Sequence, residues 1–188
     1  MKIEPSAELL FSRERIRERT RELGTEISNH YRSSGCREIS LVTILKGSFI
    51  FLADLVRSID FPLTVDFMAI SGYSRGRDDA DIARLTKDLS QSIRGRDVLM
   101  VEDVIDTGLT LAYIIKILRE RAPRSFEVCT LLDKSHNRIA DLPIRFRGFE
   151  IENQFVVGYG LDYNQRFRNL PDIYRLKEES LREMLGSA

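Results

Sequence analysis

The sequence predicts an α/β fold with a mostly parallel central sheet flanked by helices and a small hood subdomain at one end. Two observations lead to this prediction. Short β-branched apolar runs alternate with segments that carry apolar residues at helical spacing, an order typical of a parallel sheet covered on both sides. After about residue 143 the alternation stops and aromatic residues become frequent, which indicates a smaller unit packed over one sheet end.

In the first half of the chain the periodicity changes from element to element. Ile16, Leu23 and Ile27 share one face of a predicted helix. A near-continuous apolar run then indicates a strand buried on both faces, and a second helical stretch and an alternating strand follow it. The predicted bounds are 12–31 for the first helix, 39–45 for the first strand, 48–59 for the second helix and 63–70 for the second strand.

Residues 71–96 interrupt this rhythm. They are rich in Gly, Asp and Arg, and a loop of this length inside a compact domain is usually functional or disordered. Beyond them the pattern predicts a short buried strand over 98–101, a helix over 110–121 and a strand over 128–132.

The length of 188 residues suits one domain. We therefore predict a single domain over 1–188, with the sheet core at about 36–148. The hood is predicted to come mainly from 149–175 together with the N-terminal segment.

Charge and composition favour a cytoplasmic protein that binds neither nucleic acid nor membrane. Lys+Arg and Asp+Glu both number 29, so no net basic field favours a nucleic acid partner. The N-terminus lacks the apolar run of a signal peptide, and no stretch is apolar enough to span a bilayer. Cys36 and Cys129 do not resemble a metal cluster, and Cys129 is predicted to be a core residue.

The most informative segment lies at 98–110. An apolar strand ends in Glu102 and Asp103, a turn carries Asp106, and Thr107-Gly108-Leu109-Thr110 opens a helix. Ligands of open α/β sheets bind beyond the carboxyl ends of strands, and a helix N-terminus offers unpaired N–H groups that suit a phosphate. The segment is neither a Walker A loop nor a GxGxxG turn.

The same segment assigns tasks to its side chains. Gly108 lets the backbone approach a phosphate closely, and the hydroxyls of Thr107 and Thr110 add hydrogen bonds. Glu102 and Asp103 would repel a phosphate, so we expect them to hold sugar hydroxyls, directly or through a divalent cation. A plain N-cap beside a solvated acidic turn is the alternative, but it accounts poorly for three acids at fixed positions.

These residues closely resemble the 5-phosphoribosyl-diphosphate loop of the phosphoribosyltransferases. The flanking residues resemble the bacterial hypoxanthine-guanine branch, and the resemblance runs from about Leu41 to Pro171. Further matches follow the order of the family. They are Leu45-Lys46-Gly47 for the pyrophosphate turn, Leu131-Leu132-Asp133-Lys134 for the base-contacting lysine, and Gly148 to Ile151 followed by Phe155 to Tyr163 for the hood strand and metal site.

The resemblance implies a purine base and 5-phosphoribosyl 1-diphosphate as substrates and Mg2+ as cofactor. Asp106 would be the acid/base for the purine N7 proton, and Lys134 would donate to the 6-oxo group. Phe155 would stack on the base, Val156 would pair with it through main-chain groups, and Asp162 also belongs to the implied purine-binding set. Diphosphate contacts are implied for Lys46, Gly47, Glu102, Asp103, Asp106, Thr107, Gly108, Leu109, Thr110 and Arg168, and metal contacts for Asp162, Glu102 and Asp103.

Two backbone features are also implied. The Lys46-Gly47 turn resembles a non-proline cis turn whose amide reaches pyrophosphate. Ser71-Gly72-Tyr73 resembles the start of the mobile lid, although Gly72 stands where the family commonly has serine, and we expect residues 72–84 to be poorly ordered without ligand.

The implied reaction transfers the phosphoribosyl group to hypoxanthine or guanine in a homodimer or homotetramer. Use of xanthine or a pyrimidine is an alternative, because Lys134 and Phe155-Val156 do not settle what stands at the 2-position of the base. A nucleic-acid-binding regulator on the same fold is a further alternative, which a helix-turn-helix extension or a basic face would favour.

Overall fold

The computed structural model describes residues 7–71 and 84–176. The apolar runs of the sequence form the middle of a six-stranded sheet, and helices pack on both of its faces. The strands are β1 (Ala7–Phe11), β2 (Ile39–Leu45), β3 (Leu63–Ser71), β4 (Arg84–Lys87), β5 (Asp97–Ile105), β6 (Ser125–Asp133), β7 (Ile144–Glu150), β8 (Val156–Val157) and β9 (Ile173–Leu176). The helices are α1 (Arg13–Ser33), α2 (Phe49–Val56) and α3 (Leu109–Arg119), with a 3-10 turn at Ser135–Asn137.

The central sheet has the strand order β4-β3-β2-β5-β6-β7. The strands from β3 to β7 in this order are parallel, and only β4 is antiparallel to its neighbour β3. Because β2, β5 and β6 lie side by side and run in the same direction, their carboxyl ends meet at one edge. The predicted mostly parallel α/β class is confirmed.

Strand β5 shows why the sheet is covered on both sides. Leu99 and Val101 belong to the core cluster that includes α1 and α2, whereas Val98 and Met100 belong to the cluster that includes α3. All four side chains are fully buried, since successive residues of a strand point to opposite faces. The near-continuous apolar run is therefore the mark of a strand with a hydrophobic layer on either side.

A second, smaller sheet has the order β1-β9-β8, and all of its pairs are antiparallel. The chain enters this sheet before α1 and returns to it after the central sheet is complete. Phe11 of β1 stacks on Phe149 with 4.1 Å between ring centroids, which attaches the small sheet to the end of β7. The division into a sheet core and a hood stays a prediction.

Two of the predicted element assignments are wrong. Strand β4 lies inside the predicted loop at 71–96, because Leu85 and Lys87 pair with Ile70 and Ala69 of β3. Strand β7 joins the central sheet beside β6, so Gly148 to Glu150, interpreted as hood, belong to the core sheet. These strands lack a long apolar run, and strand pairing rather than periodicity defines them.

Strand β5 is also longer than predicted. It continues to Ile105, because Glu102, Val104 and Ile105 still pair with β6. Glu102 and Asp103 are therefore strand residues, where we predicted them at the end of a strand that spanned 98–101. In the described ranges 7–71 and 84–176, no helix is long and apolar enough to cross a membrane.

Candidate active site

Two adjoining cavities lie where β2, β5 and β6 end. The first has a volume of about 390 Å³ and is lined by the β2–α2 turn and by every residue from Glu102 to Leu111. The second, of about 370 Å³, is lined by Lys134, Phe155, Val156, Asp162 and Arg168, among others. Both cavities border Lys46, Gly47 and Asp103. The structure thus gathers the predicted diphosphate residues and the predicted purine residues at one edge of the sheet.

The turn between β2 and α2 packs directly against the carboxylate of Asp103. A Cβ atom at Gly47 would lie 1.9 Å from Asp103 Oδ2, and a Cβ atom at Gly160 would lie 2.2 Å from the Gly47 carbonyl oxygen. Only glycine fits at either position without a shift of its neighbour. The cis peptide is Leu45–Lys46, one bond earlier than the Lys46–Gly47 bond that the sequence suggested.

Thr43 and Ser48 stabilise this turn through hydrogen bonds of their hydroxyl groups, and neither residue was predicted from the sequence. Thr43 Oγ1 lies 2.7 Å from the Val101 carbonyl and 2.5 Å from Ser48 Oγ, and Ser48 donates to the Ile44 carbonyl at 2.8 Å. Both side chains are fully buried. The sequence did contain an indication of them: one hydroxyl residue lies within an apolar strand and another just after it, and a buried polar side chain requires a hydrogen-bond partner.

Glu102 and Asp103 are held in surroundings that disfavour their charged forms. Glu102 Oε1 is buried, and within the described part of the chain it has no hydrogen-bond partner. Burial raises the pKa of Glu102 well above its usual value, and the nearby Asp103 adds to this effect. Burial also raises the pKa of Asp103, to about 6, although the Val104 amide donates to its carboxylate at 2.8 Å.

Asp106 has the opposite surroundings. Lys134 Nζ donates to its Oδ2 at 2.9 Å, and Asn137 Nδ2 donates to its Oδ1 at 3.0 Å. Burial alone would raise the pKa of Asp106, but these two hydrogen bonds and the charge of Lys134 outweigh it and lower the pKa below its usual value. Asp106 is therefore an ionised carboxylate at the mouth of the first cavity.

The start of α3 follows from Asp106. Gly108 has φ +78° and precedes the first helical residue, Leu109. A Cβ atom there would lie 2.8 Å from Leu142 Cδ1. The carbonyl of Thr107 accepts from the Ile139 amide at 3.0 Å, which fixes the turn against the loop after β6. Leu109 and Thr110 of the first turn of α3 line the first cavity, and the N–H groups of a helix's first turn have no intrahelical acceptors.

The segment that follows β8 forms one side of the second cavity. Arg168 forms an ion pair with Asp162 at 2.6 Å and donates to the Gly160 carbonyl at 2.7 Å. The Gln165 amide donates to the other Asp162 oxygen at 2.8 Å. These bonds fix the carboxylate of Asp162 and the guanidinium of Arg168 beside Gly47.

Phe155 borders the second cavity with 40% of its surface exposed, and its ring meets Tyr163 edge-on at 5.7 Å. Val156 is buried in β8, where it pairs with Arg175. An exposed aromatic ring held by a second ring offers a flat apolar surface for a planar ligand.

The predicted metal residues are distributed over the two cavities. Glu102 lines the first cavity, Asp162 lines the second, and Asp103 borders both. No preformed group of three ligand side chains occurs within 7–71 and 84–176. Of the lid residues, Ser71 ends β3, whereas Gly72 and Tyr73, with the rest of the segment expected to be poorly ordered up to 83, lie outside the described residues.

The chain is similar to proteins of one family. The phosphoribosyl transferase domain family matches residues 13–164. A hypoxanthine phosphoribosyltransferase from Salmonella typhimurium is 47% identical over 166 residues, which cover 88% of this chain and 93% of the relative. A hypoxanthine-guanine phosphoribosyltransferase from Mycobacterium avium is 47% identical over 165 residues, 86% of this chain and 81% of the relative.

Solved structures agree with this similarity. A Trypanosoma cruzi hypoxanthine phosphoribosyl transferase superposes with a TM-score of 0.91 and 36% identity, covering 99% of each chain. A Staphylococcus aureus hypoxanthine phosphoribosyltransferase gives a TM-score of 0.84 and 42% identity, covering 92% of each chain. At this coverage the similarity includes both cavities as well as the sheet.

Proposed function

The chain belongs to the phosphoribosyltransferase family, in its hypoxanthine-guanine branch, and from that premise we propose how its residues divide the reaction. The enzyme transfers the 5-phosphoribosyl group from 5-phosphoribosyl 1-diphosphate to hypoxanthine or guanine. The products are pyrophosphate and the purine nucleotide, so the reaction is one of purine salvage.

The observation that carries the division of roles is the position of Asp106. Its carboxylate lies between the start of α3, which suits a phosphate, and Lys134, which borders the purine-side cavity. A base at this junction, next to the proposed donor to the 6-oxo group, reaches the purine edge that carries N7 and this group. Asp106 takes the N7 proton of the base as the new bond to ribose forms.

The sugar diphosphate occupies the first cavity. Backbone N–H groups and hydroxyls from Thr107 to Thr110 bind the 5-phosphate, because a helix N-terminus combines free donors with a positive dipole. Glu102 and Asp103 accept hydrogen bonds from the ribose hydroxyls. Lys46, the Gly47 amide and Arg168 bind the pyrophosphate group, whose negative charge increases as it leaves.

The purine occupies the second cavity. Phe155 stacks on the ring, and the main chain of Val156 pairs with its edge. Lys134 donates to the 6-oxo group. To do so, its ammonium group must leave Asp106 Oδ2 and form a hydrogen bond to the base instead. A 6-amino group cannot accept this bond, so adenine gives Lys134 no reason to leave Asp106 Oδ2 and is rejected.

Magnesium fits the residues at this edge. The site offers acceptor-only carboxylates in Asp103 and Asp162 and a buried Glu102 oxygen without a partner among the described residues. One or two protein carboxylates plus substrate oxygens form the usual magnesium site, so a closed protein cage is not needed. Bound with the diphosphate, Mg2+ would neutralise part of the charge on the leaving group.

We also propose a lid, a homo-oligomeric assembly and a cytoplasmic location. The Ser71-Gly72-Tyr73 segment acts as the lid that excludes water during transfer. The enzyme assembles as a homodimer or homotetramer and works in the cytoplasm.

Replacing Asp106 by Asn tests the proposed base. The variant keeps the size of the side chain but cannot take up a proton, so turnover should fall by about 10²–10⁴. The affinity for 5-phosphoribosyl 1-diphosphate, measured by titration, should stay close to that of the wild type, because the phosphate cradle is unchanged. Near-normal turnover in this variant would contradict the assignment. Competition among guanine, hypoxanthine and xanthine in the same assay defines the preferred base.

A further inference from the structure

The 3-10 turn Ser135–Asn137 carries a side chain that the division of roles above does not use. Asn137 ends this turn, and its Nδ2 donates to Asp106 Oδ1 at 3.0 Å. The other oxygen of the same carboxylate accepts from Lys134. Both carboxylate oxygens of Asp106 thus accept a hydrogen bond. Lys134, just before the turn, donates to one, and Asn137, the last residue of the turn, donates to the other.

The turn is fixed at both of its ends. Asp133, which is fully buried, forms ion pairs with Arg138 and Arg147, and the first of these pairs spans the turn. The Asn137 amide donates to the Lys134 carbonyl at 2.9 Å, and the Lys134 amide donates to the Ile105 carbonyl at 2.9 Å. The backbone that carries Asn137 is therefore fixed independently of where the Lys134 side chain points.

We propose that Asn137 is a positioning residue that holds Asp106 Oδ1, so that Oδ2 is the oxygen that receives the purine proton. This inference rests on the proposed role of Asp106 as the base. When Lys134 turns to the 6-oxo group, Oδ2 loses its donor and becomes free to accept. Oδ1 keeps the Asn137 bond, so the carboxylate stays oriented while its basicity rises.

The charged group that faces Asp106 in the described structure is Lys134. Once Lys134 has moved to the base, the Asn137 bond is the remaining contact that lowers the pKa of Asp106. Its loss raises the pKa, and the acid limb of the pH–rate profile moves to higher pH, because only ionised Asp106 accepts a proton.

The experiment compares Asn137→Ala and the nearly isosteric Asn137→Asp, each in the wild-type and in the Asp106→Asn background. In the wild-type background, Asn137→Ala should lower turnover by about 5–30-fold, which corresponds to the free energy of one or two hydrogen bonds. It should also move the acid limb of the pH–rate profile to higher pH. Asn137→Asp should lower turnover more, because it replaces a donor by a like charge. In the Asp106→Asn background neither change should lower turnover further. His136→Ala, on the exposed side of the same turn, is the matched control and should leave the profile unchanged.

Three results separate the possible failures. An equal loss in both backgrounds, with the acid limb unmoved, would show that Asn137 only maintains the turn, and unchanged turnover in Asn137→Ala would show that it does nothing. Either result overturns the positioning role. If Asp106→Asn itself kept near-normal turnover, the base assignment would fail, and this inference would fail with it.

Discussion

Strand β5 carries carboxylates near both of its ends, and the two ends differ in how these groups are paired. At the amino end, Asp97 accepts from Arg124 Nε at 2.9 Å and from Ser125 Oγ at 2.7 Å. Burial opposes its ionisation, but these donors outweigh burial and lower the pKa of Asp97 to about 2. At the carboxyl end, burial raises the pKa values of Glu102 and Asp103.

The difference is the one expected between a structural carboxylate and a carboxylate that is proposed to bind a ligand. The donors of Asp97 come from the start of β6 and are present in the free protein, so its charge stabilises the fold. Glu102 and Asp103 share one amide donor between them in the described contacts, and their charge is costly until hydroxyls or a cation arrive. We propose that the carboxyl end of β5 lowers the stability of the free protein and that its carboxylates are used in binding.

The largest expected effect concerns Lys134, whose hydrogen bond links the two cavities. Lys134→Gln should remove most of the preference for 6-oxo over 6-amino purines, because a buried donor for an oxygen can reject the mismatched analogue by about 10⁴-fold. The measurement is the ratio of kcat/KM for hypoxanthine to that for adenine. Lys116→Gln, at the exposed end of α3, is the control. An equal loss with every base would show that Lys134 supports the turn and does not select the base.

A smaller effect is expected from the close packing of Gly47 against Asp103. In Gly47→Ala the added Cβ must displace the Asp103 carboxylate, and a misplacement of about 1 Å can cost about 10²-fold in rate. The kcat/KM for the sugar diphosphate should fall accordingly. In Gly24→Ala, where the Cβ would lie 2.3 Å from the Ser58 carbonyl, stability should fall while kcat/KM of the folded enzyme is retained. If both variants lost activity to the same extent, the effect of Gly47→Ala could not be assigned to the displacement of Asp103.

The sequence predicted those parts of the fold and of the site that depend on the periodicity of apolar residues or on a local motif. The apolar runs of β2 and β5 and the helical spacing of α1 and α3 indicated the sheet. The helix start at Thr107-Gly108 indicated a phosphate site, and the acids before it indicated a site for sugar hydroxyls. It could not predict β4 and β7, because their strand character comes from pairing with β3 and β6. Nor could it predict Asn137, whose role depends on its distance to a residue far away in the chain.

The two ends of β5 should also differ in their pH dependence. The folded pKa of Asp103 lies above the unfolded value, so the folded state binds its proton more tightly. The unfolded chain releases this proton first as the pH rises, and the free protein therefore loses stability between about pH 4 and pH 6. Asp97 has the opposite sign, and its contribution is lost as the pH falls from about 4 to about 2.

Asp103→Asn should remove the loss of stability that the free protein shows between about pH 4 and pH 6. Its free energy of unfolding, measured by urea titration, should rise relative to the wild type over this interval by about 1–3 kcal/mol, allowing for screening by solvent. A constant difference between the two proteins from pH 4 to pH 7 would show that Asp103 is not under strain from burial.

The most direct test of the comparison measures thermal unfolding of Asp97→Asn and Glu102→Gln with and without 5-phosphoribosyl 1-diphosphate and Mg2+. Asp97→Asn should cost about 1–3 kcal/mol in the free protein and keep the full stabilisation by ligand, about 2.7 kcal/mol at a hundredfold excess over Kd. Glu102→Gln should leave the free protein as stable as the wild type, or more stable, and lose much of the ligand stabilisation. If Glu102→Gln instead destabilised the free protein as Asp97→Asn does and kept the full response to ligand, the two ends of β5 would not differ as described.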